Sequence, residues 1–286
     1  MILLAESPVI GMSALTSLLL VLLPFSGFSQ FLDGECGILS QHQIGNSSSS
    51  PWIAFLHTTD LVFVCGGTLI TNKLILTAAH CVSSNAQLIA RLGEFSGVRK
   101  ENYPTSAEYQ VKKLFRHSFY DMDTYANDIA ILGLATYVVY TDNIRPICIL
   151  WDPLWKQYID GIPVLSGPVW GKPENDDEGN GLRILDIWRQ PPEMCTSVFG
   201  TIFTNQFCAG NSESHLCNVE CSNPLGAVIP YKNTYRYVQI GIATTNQKCN
   251  TPSVYTDVLF HIDFIIRVWR HYDNVQGVPN PSPTRV

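Results

Sequence analysis

From Pro51 onward the chain is a succession of short runs rich in β-branched and aromatic residues, separated by polar or glycine-containing turns. Runs of this length and spacing are typical of all-β sandwiches and barrels. They extend over Trp52 to His57, Val62 to Ile70, Leu74 to Thr77, Tyr109 to Phe115, Ile129 to Leu134, Gly226 to Ile229 and Tyr235 to Thr244. With 286 residues, 46% of them hydrophobic, the chain can bury one large core or two small ones. We expect Trp52, Trp170 and Trp188 to belong to such a core.

One stretch near the C-terminus has a helical period instead. Apolar residues recur there at Val258, Ile262, Ile265, Ile266 and Trp269. This spacing predicts an amphipathic helix from Thr256 to Trp269, with Thr256 as its N-cap. Prolines recur after it, so residues 273–286 are predicted to be a disordered tail.

The first residues predict an export signal. Leu15 to Leu23 is almost entirely apolar, and the small side chains of Gly27 and Ser29 fit a cleavage site before Gln30. A membrane anchor is the alternative, but the run is shorter than the ~18 residues that a span needs. We therefore expect residues 1–29 to be a signal peptide and the protein to be secreted, with the sequon at Asn46 glycosylated.

Cysteine usage and net charge limit the partners and cofactors. The nine cysteines show no CxxC spacing, so neither a metal nor another cofactor is expected. An exported chain normally pairs its cysteines, and the odd number leaves at least one outside the pairs. The net charge of -6 indicates neither nucleic acid nor an anionic membrane as a partner.

Several ordered motifs together resemble the chymotrypsin-like serine proteases. Cys65 to Ile70 reads CGGTLI, Thr77 to Cys81 reads TAAHC, and Asn127 to Leu132 reads NDIAIL. The likeness continues through Trp170-Gly171, Asn205 to Gly210 and Val254 to Asp257, so it runs from about Cys36 to Trp269. Among these proteins it resembles the secreted serine protease homologues of arthropods that lack an N-terminal clip module.

This resemblance implies a fold and a disulfide framework. The fold is two six-stranded antiparallel β-barrels followed by a C-terminal α-helix, with residues 51–272 forming the protease-like domain and residues 30–50 a tethered N-terminal segment. His80 and Asp128 would come from the first barrel and the nucleophile from the second. The implied bridges are Cys36–Cys148, Cys65–Cys81, Cys195–Cys208 and Cys217–Cys249, each contributing about 2–4 kcal/mol. Cys221 is then left as a buried thiol or an intermolecular bridge.

The nucleophile segment departs from the family pattern. Where the family has a cysteine, one variable residue and then Gly-Asp-Ser-Gly-Gly-Pro, Cys217 to Pro224 reads CNVECSNP. Cys221 therefore replaces the catalytic serine, and Val219 and Glu220 replace the preceding Gly-Asp. A thiol beside His80 can act as a nucleophile, but a β-branched Val219 is strained wherever glycine adopts positive φ to aim its N–H at the oxyanion. Losing one such donor costs about a hundred- to thousandfold in rate.

The activation site and the specificity pocket depart from the pattern as well. Family zymogens are cut after Lys or Arg, yet neither occurs before Lys73, and Gln43 precedes Ile44. By register the floor of the primary pocket is His215, and side chains of Thr245, Asn246 and Ser253 take places that the family keeps open. Because no basic cleavage site precedes Ile44, Glu220 has no evident new amino terminus with which to form an ion pair.

These changes favour a non-catalytic protein that binds an extracellular protease or another protein of a proteolytic cascade, as cofactor, decoy or regulator. The alternative is an endopeptidase that uses Cys221 as nucleophile with His80 and Asp128. A third possibility, inhibitor-like binding of a peptide, lies between the two. His80 and Asp128 would serve as base and orienting carboxylate in the enzyme, and as a buried stabilising pair in the binding protein.

Overall fold

Antiparallel strands form two closed barrels in the computed structural model, which describes residues 30–38, 50–82, 87–93, 106–171, 181–210, 223–244 and 251–272. The first barrel comprises β1 (Ile53–Thr58), β2 (Phe63–Leu69), β3 (Leu74–Thr77), β4 (Leu88–Leu92), β5 (Ala107–Arg116) and β6 (Ala130–Leu134). The second comprises β7 (Val164–Gly171), β8 (Gly181–Gln190), β9 (Gln206–Gly210), β10 (Pro224–Tyr231), β11 (Thr234–Ala243) and β12 (Ser253–Asp257). Helix α1 (Lys156–Asp160) lies between the two barrels in sequence, α2 (Pro192–Phe199) connects β8 to β9, and α3 (Ile262–Tyr272) follows β12. The predicted fold class is confirmed.

Each barrel closes through a fixed order of neighbours. The order is β1-β2-β3-β6-β5-β4 in the first barrel and β10-β11-β12-β9-β8-β7 in the second. Every residue of β3 and β6 is buried, whereas β5 alternates between partly buried and exposed positions. The continuous apolar runs of β3 and β6 therefore line the core, and β5 has one face in water.

The segment that connects the barrels is hydrogen-bonded to both. The Ile147 amide donates to the Leu69 carbonyl of β2 at 2.8 Å, and the Cys148 amide donates to the Tyr237 carbonyl of β11 at 3.2 Å. The Gln239 amide returns a bond to the Cys148 carbonyl at 3.0 Å. The connection thus behaves as a shared element of both sheets, and the described residues from Phe31 onward belong to one compact unit.

Two side-chain contacts also join the barrels. The indole of Trp52 stacks on the ring of Tyr237 with centroids 4.8 Å apart, and Trp52 is only 2% exposed. The Thr68 hydroxyl of β2 donates to the Gln239 side-chain oxygen of β11 at 2.7 Å. A large aromatic pair and a buried hydrogen bond therefore fix how the barrels meet.

The C-terminal helix begins later than its periodicity predicts. Thr256 and Asp257 belong to β12, opposite Ile242 and Gly241 of β11, so the predicted start and N-cap at Thr256 are wrong. Their backbone groups are used in the sheet, which outweighs the local helical pattern. The Asp257 carboxylate instead accepts from the Phe260 amide at 3.1 Å and closes the turn that leads into α3.

The prediction that Trp188 belongs to the core is also wrong, because 49% of this residue is exposed. Its neighbour Ile187 is only 5% exposed, and successive side chains of a strand point to opposite faces. β8 therefore turns Ile187 inward and Trp188 outward. Trp52 belongs to the core as expected.

The structure contains three of the implied disulfides: Cys36–Cys148, Cys65–Cys81 and Cys195–Cys208. The first of them ties the described residues 30–38 to the connection between the barrels. The fourth implied pair, Cys217 and Cys249, lies outside the described residues, as does Cys221. Within the described part of the chain, no helix has the length and apolar character needed to cross a membrane.

The contrast between the two tryptophans gives a stability test. We expect Trp52→Ala to lower the free energy of unfolding by about 3–5 kcal/mol, because it removes a buried ring from between the barrels. Trp188→Ala should cost less than about 1 kcal/mol, since half of that side chain is already in water. Urea denaturation of both variants measures this, and equal losses would contradict the assigned packing.

Candidate functional site

A histidine and a buried carboxylate form the centre of the site. His80 lies in a single 3₁₀ turn, Ala79–Cys81, that follows β3 and is pinned to β2 by the Cys65–Cys81 disulfide. Asp128 immediately precedes the buried run into β6 and is 0% exposed. One Asp128 oxygen accepts from the His80 backbone amide at 2.8 Å, and the other lies 2.6 Å from Nδ1 of His80.

This geometry selects one tautomer of the neutral imidazole. Because Nδ1 faces a carboxylate oxygen, Nδ1 carries the proton of the neutral ring, and Nε2 remains the acceptor. Nε2 lies 3.4 Å from the sulfur of Cys81. The pair predicted at His80 and Asp128 is therefore brought together with the orientation that a general base needs, and the ring retains 19% side-chain exposure.

The loop that carries Asp128 is held by hydrogen bonds from the second barrel. The Asn205 amide donates to Oδ1 of Asn127 at 2.7 Å, and the Gln206 amide donates to the Tyr125 carbonyl at 3.0 Å. The Thr256 hydroxyl donates to the Asp128 carbonyl at 3.2 Å. The position of the buried carboxylate thus depends on residues of both barrels.

Two residues of this loop have left-handed backbone conformations. Tyr125 has φ 54° and Asn127 has φ 55°, values that cost a non-glycine residue about 1–2 kcal/mol each. Asn127 tolerates this conformation well, and its side chain also donates to the Phe119 carbonyl at 2.9 Å. The ring of Tyr125 is turned edge-on to His80 with centroids 5.8 Å apart. The strained backbone conformation of Tyr125 therefore places its aromatic ring, a wall of the site, beside the histidine.

A cavity of about 360 Å³ opens next to this aromatic wall. It lies between the loop of Tyr125 and the residues that follow α2, with β12 behind. Its lining comprises Asp123, Thr124, Tyr125, Phe199, Thr201, Phe203, Gln206, Thr244 and Val254. A concave, mostly apolar space of this size beside a histidine–carboxylate pair is the natural place for a bound side chain.

A histidine pair lies behind the Asp128 loop. His117 and His261 stand edge to face with ring centroids 5.3 Å apart, and Nε2 of His261 lies 3.2 Å from Oδ1 of Asn127. Burial lowers the pKa of His261, although the nearby Asp257 carbonyl and carboxylate partly oppose this. Burial, His261 and Arg267 all lower the pKa of His117. The pair is thus accommodated best in its neutral form.

One group of potential metal ligands occurs in the described part of the chain, at Cys65, His80 and Cys81. Its ligand atoms lie within 4.8 Å of one another, but the two sulfurs are bonded to each other. A disulfide offers no thiolate, so this group does not fit a metal ion.

The predicted nucleophile segment and most of the predicted specificity pocket lie outside the described residues. This applies to Val219, Glu220, Cys221, His215, Thr245 and Asn246, and also to Asn46. Asn223 of the segment and Ser253 of the predicted pocket are described. Asn223, which stands where the family has a glycine, is 3% exposed and donates to the Pro168 carbonyl at 3.1 Å. Ser253 lies in β12 and is 1% exposed.

Several residues of the site had no role in the sequence analysis. Asn205 and Gln206 were noted only as part of a family motif, and their contacts to the Asp128 loop follow from the fold. Phe199 and Phe203 lie at the end of α2 and in the turn after it, where no periodic pattern indicated a cavity wall. The cavity becomes apparent only in the structure, where these aromatic residues lie beside the loop of Tyr125.

Comparison with known proteins adds the following. The family model described as Trypsin matches residues 40–265. The chain is 29% identical over 226 residues to Serine protease snk of Drosophila melanogaster, covering 73% of this chain and 50% of that protein. It is 30% identical over 234 residues to a protein of Anopheles gambiae named Inactive CLIP domain-containing serine protease A28, covering 75% of this chain and 60% of that protein.

A solved structure is also similar. The crystal structure of the Drosophila Grass clip serine protease of the Toll pathway matches with a TM-score of 0.69 and 25% identity, covering 88% of this chain and 78% of that one. The chain spans only half the length of Serine protease snk. The match to these proteins therefore concerns the two-barrel part.

The histidine pair predicts a pH dependence of stability. In the unfolded chain both histidines titrate near the ordinary value of 6.5, and their folded-state pKa values lie lower. The unfolded state therefore binds more protons below this pH, so stability is fully present above about pH 6.5 and is lost as the pH falls. We expect the urea midpoint to decrease between pH 7.5 and pH 5.5. His261→Gln, which cannot be protonated, should weaken this dependence, and an unchanged dependence would refute the assignment.

Proposed function

Because this chain belongs to the trypsin family of serine proteases, we propose that it is a non-catalytic member that binds an extracellular protease or another protein of a proteolytic cascade. The observation that carries the proposal is the segment Cys217 to Pro224, which reads CNVECSNP. It has a thiol in place of the nucleophilic hydroxyl, a β-branched residue in place of the oxyanion glycine, and Ser222-Asn223 in place of two glycines. Acyl transfer requires a reactive atom and two converging amide donors, and these changes affect both requirements.

The buried contact of Asn223 supports the proposal. Its side chain donates to the Pro168 carbonyl of β7, and its own carbonyl accepts from the Ala243 amide at 3.2 Å. A residue that replaces a family glycine therefore has a stabilising role at the end of the segment. A glycine at position 223 could not make this side-chain contact to β7.

Export and a role among other proteases belong to the same proposal. The three disulfides are typical of proteins from oxidising compartments. Among similar proteins, one is named an inactive clip-domain protease and another is named a clip protease of the Toll pathway. We infer a secreted protein that acts as cofactor, decoy or regulator. Its retained cleft, with the cavity beside Tyr125, is the proposed binding surface.

One observation favours a second candidate, a cysteine-nucleophile endopeptidase. His80 and Asp128 hold the geometry of a base and its orienting carboxylate, with 2.6 Å between Nδ1 and the carboxylate oxygen. A thiol at position 221, ionised by this base, could attack a carbonyl without the missing serine.

Activity measurements separate the two candidates. The purified chain, without residues 1–29, is incubated with a peptide library and with thiol-directed and serine-directed activity probes. We expect neither cleavage nor labelling that depends on Cys221. Cleavage that is abolished by Cys221→Ala would establish the enzyme and end the proposal.

Restoring the hydroxyl alone should not restore activity. We expect Cys221→Ser to remain inactive in the same assay, because Val219 and the absent basic cleavage site are unchanged. Recovery of cleavage by this single substitution would show that the oxyanion argument is wrong.

The role of the His80–Asp128 pair can be tested through stability. If the pair persists as a structural element, Asp128→Ala should lower the free energy of unfolding by about 3 kcal/mol, because it leaves two buried donors of His80 without their acceptor. Asp142→Ala, at a carboxylate with 89% side-chain exposure, serves as the control and should change it by less than about 0.5 kcal/mol. Unchanged or increased stability of Asp128→Ala would instead indicate a carboxylate kept for catalysis.

A further inference from the structure

A histidine ring lies against one of the disulfides that the structure describes. Nε2 of His80 is 3.4 Å from the sulfur of Cys81, which is bonded to the sulfur of Cys65. We propose that the Cys65–Cys81 bridge is a thiol–disulfide exchange site, which a small thiol such as glutathione opens with His80 as the acid–base group. The inference goes beyond the proposed function, because it holds whether or not the chain cleaves peptides.

This bridge is more accessible than the other two that the structure describes. Cys65 and Cys81 are each 6% exposed, and the His80 side chain retains 19% exposure. No residue of the Cys36–Cys148 and Cys195–Cys208 bridges is more than 2% exposed. Exchange requires access to a sulfur, so a thiol reaches the Cys65–Cys81 bridge first. Exposure this low favours a small thiol over a protein as the reagent.

The histidine is in the protonation state that the reaction requires. Its Nδ1 carries the proton and faces the Asp128 carboxylate at 2.6 Å, so Nε2 presents a lone pair on the side of the bridge. That lone pair can take the proton of an arriving thiol and convert it to the thiolate, which is the attacking species. The Asp128 carboxylate then stabilises the imidazolium that forms.

The exchange takes place in two steps. The first thiol gives its proton to Nε2 of His80, and its sulfur forms a bond to the sulfur of Cys65. The Cys65–Cys81 bond breaks, and its electron pair stays on Cys81 as a thiolate that faces the imidazolium. Cys81 is the leaving sulfur because the better stabilised thiolate leaves faster. A second thiol then displaces Cys65 from the mixed disulfide, which leaves both cysteines reduced and the small thiol oxidised to its own disulfide.

Other contacts hold both cysteines in place when the bridge opens. Cys65 lies in β2, opposite Leu56 of β1. Cys81 ends the turn Ala79–Cys81, whose histidine is bonded to Asp128 through its backbone amide at 2.8 Å as well as through Nδ1. The reduced site therefore keeps Cys81 next to His80, as a thiolate–imidazolium pair that can be oxidised again.

Differential alkylation with mass spectrometry tests the inference. The purified oxidised protein is incubated with reduced glutathione at about pH 7.5, then quenched, alkylated and digested, so that each cysteine is identified as reduced, bridged or glutathione-bound. We expect the Cys65–Cys81 bridge to open about tenfold faster than Cys36–Cys148 and Cys195–Cys208, with glutathione on Cys65. Equal opening rates for the three bridges, or glutathione mainly on Cys81, would overturn the inference.

Two matched histidine variants identify the acid–base group. We expect His80→Gln to slow the opening about tenfold, and His271→Gln, at an exposed position of α3, to leave it unchanged. A purely structural effect of His80→Gln would loosen the turn and speed the opening, so the direction of the change separates the two roles. An opening rate for His80→Gln equal to or above that of the unaltered protein would contradict the role of His80.

The unaltered protein allows two further measurements. After partial reduction, a thiolate paired with His80 should make Cys81 react with iodoacetamide about tenfold faster than Cys65 at about pH 6. Equal alkylation rates of the two cysteines would contradict the ion pair. The opening rate should also rise in proportion to the glutathione concentration. A rate independent of glutathione would make a thiol of the chain itself the attacking group and would refute the role of an external thiol.

Discussion

A buried carboxylate with no exposure to solvent, Asp128, sets the arrangement on which the rest of the molecule depends. An unpaired charge at such a position would cost several kcal/mol, so its oxygens must be satisfied by the protein. Both are satisfied by His80, once through the backbone amide and once through Nδ1. The backbone carbonyl of Asp128 in turn accepts from Thr256 of the second barrel. The disulfide Cys65–Cys81 fixes the turn that carries the histidine. Asp128 therefore links the turn of His80 to the second barrel, alongside the contacts of Trp52 with Tyr237 and of Thr68 with Gln239.

This dependence explains how a histidine–carboxylate pair can accompany a nucleophile segment that departs from the family pattern. The pair satisfies a buried charge and links the loop of Tyr125 to the second barrel, so its geometry has a structural reason that does not involve a substrate. Its presence alone does not distinguish an enzyme from a binding protein. The distinction lies in Cys217 to Pro224, where a side chain that replaces a family glycine is bonded to Pro168. Two walls of the cleft are held by Gln206, which is bonded to the Phe203 amide and to the Tyr125 carbonyl.

Much of the fold followed from local sequence, and much of the site did not. Apolar runs such as Leu74 to Thr77 and Ile129 to Leu134 predicted strands because every residue there is buried. The family motifs located His80 and Asp128 and implied three bridges that the structure contains. The predicted start of the C-terminal helix was wrong, because the pairing of Thr256 with Ile242 is a long-range interaction that periodicity does not reveal. The predicted burial of Trp188 was wrong because hydrophobicity does not show which face of a strand is covered. The cavity involves Tyr125 and Phe203, which are far apart in sequence and are both hydrogen-bonded to the side-chain amide of Gln206.

The bond between Cys36 and Cys148 has a consequence for a chain that is cut by a proteinase. Position 148 is part of the connection between the barrels and is hydrogen-bonded to β11, while Arg236 of that strand donates to the Cys36 carbonyl at 2.7 Å. A single cut anywhere between these two half-cystines would leave both pieces covalently joined. The cut molecule would keep its amino-terminal fragment until the disulfide was reduced.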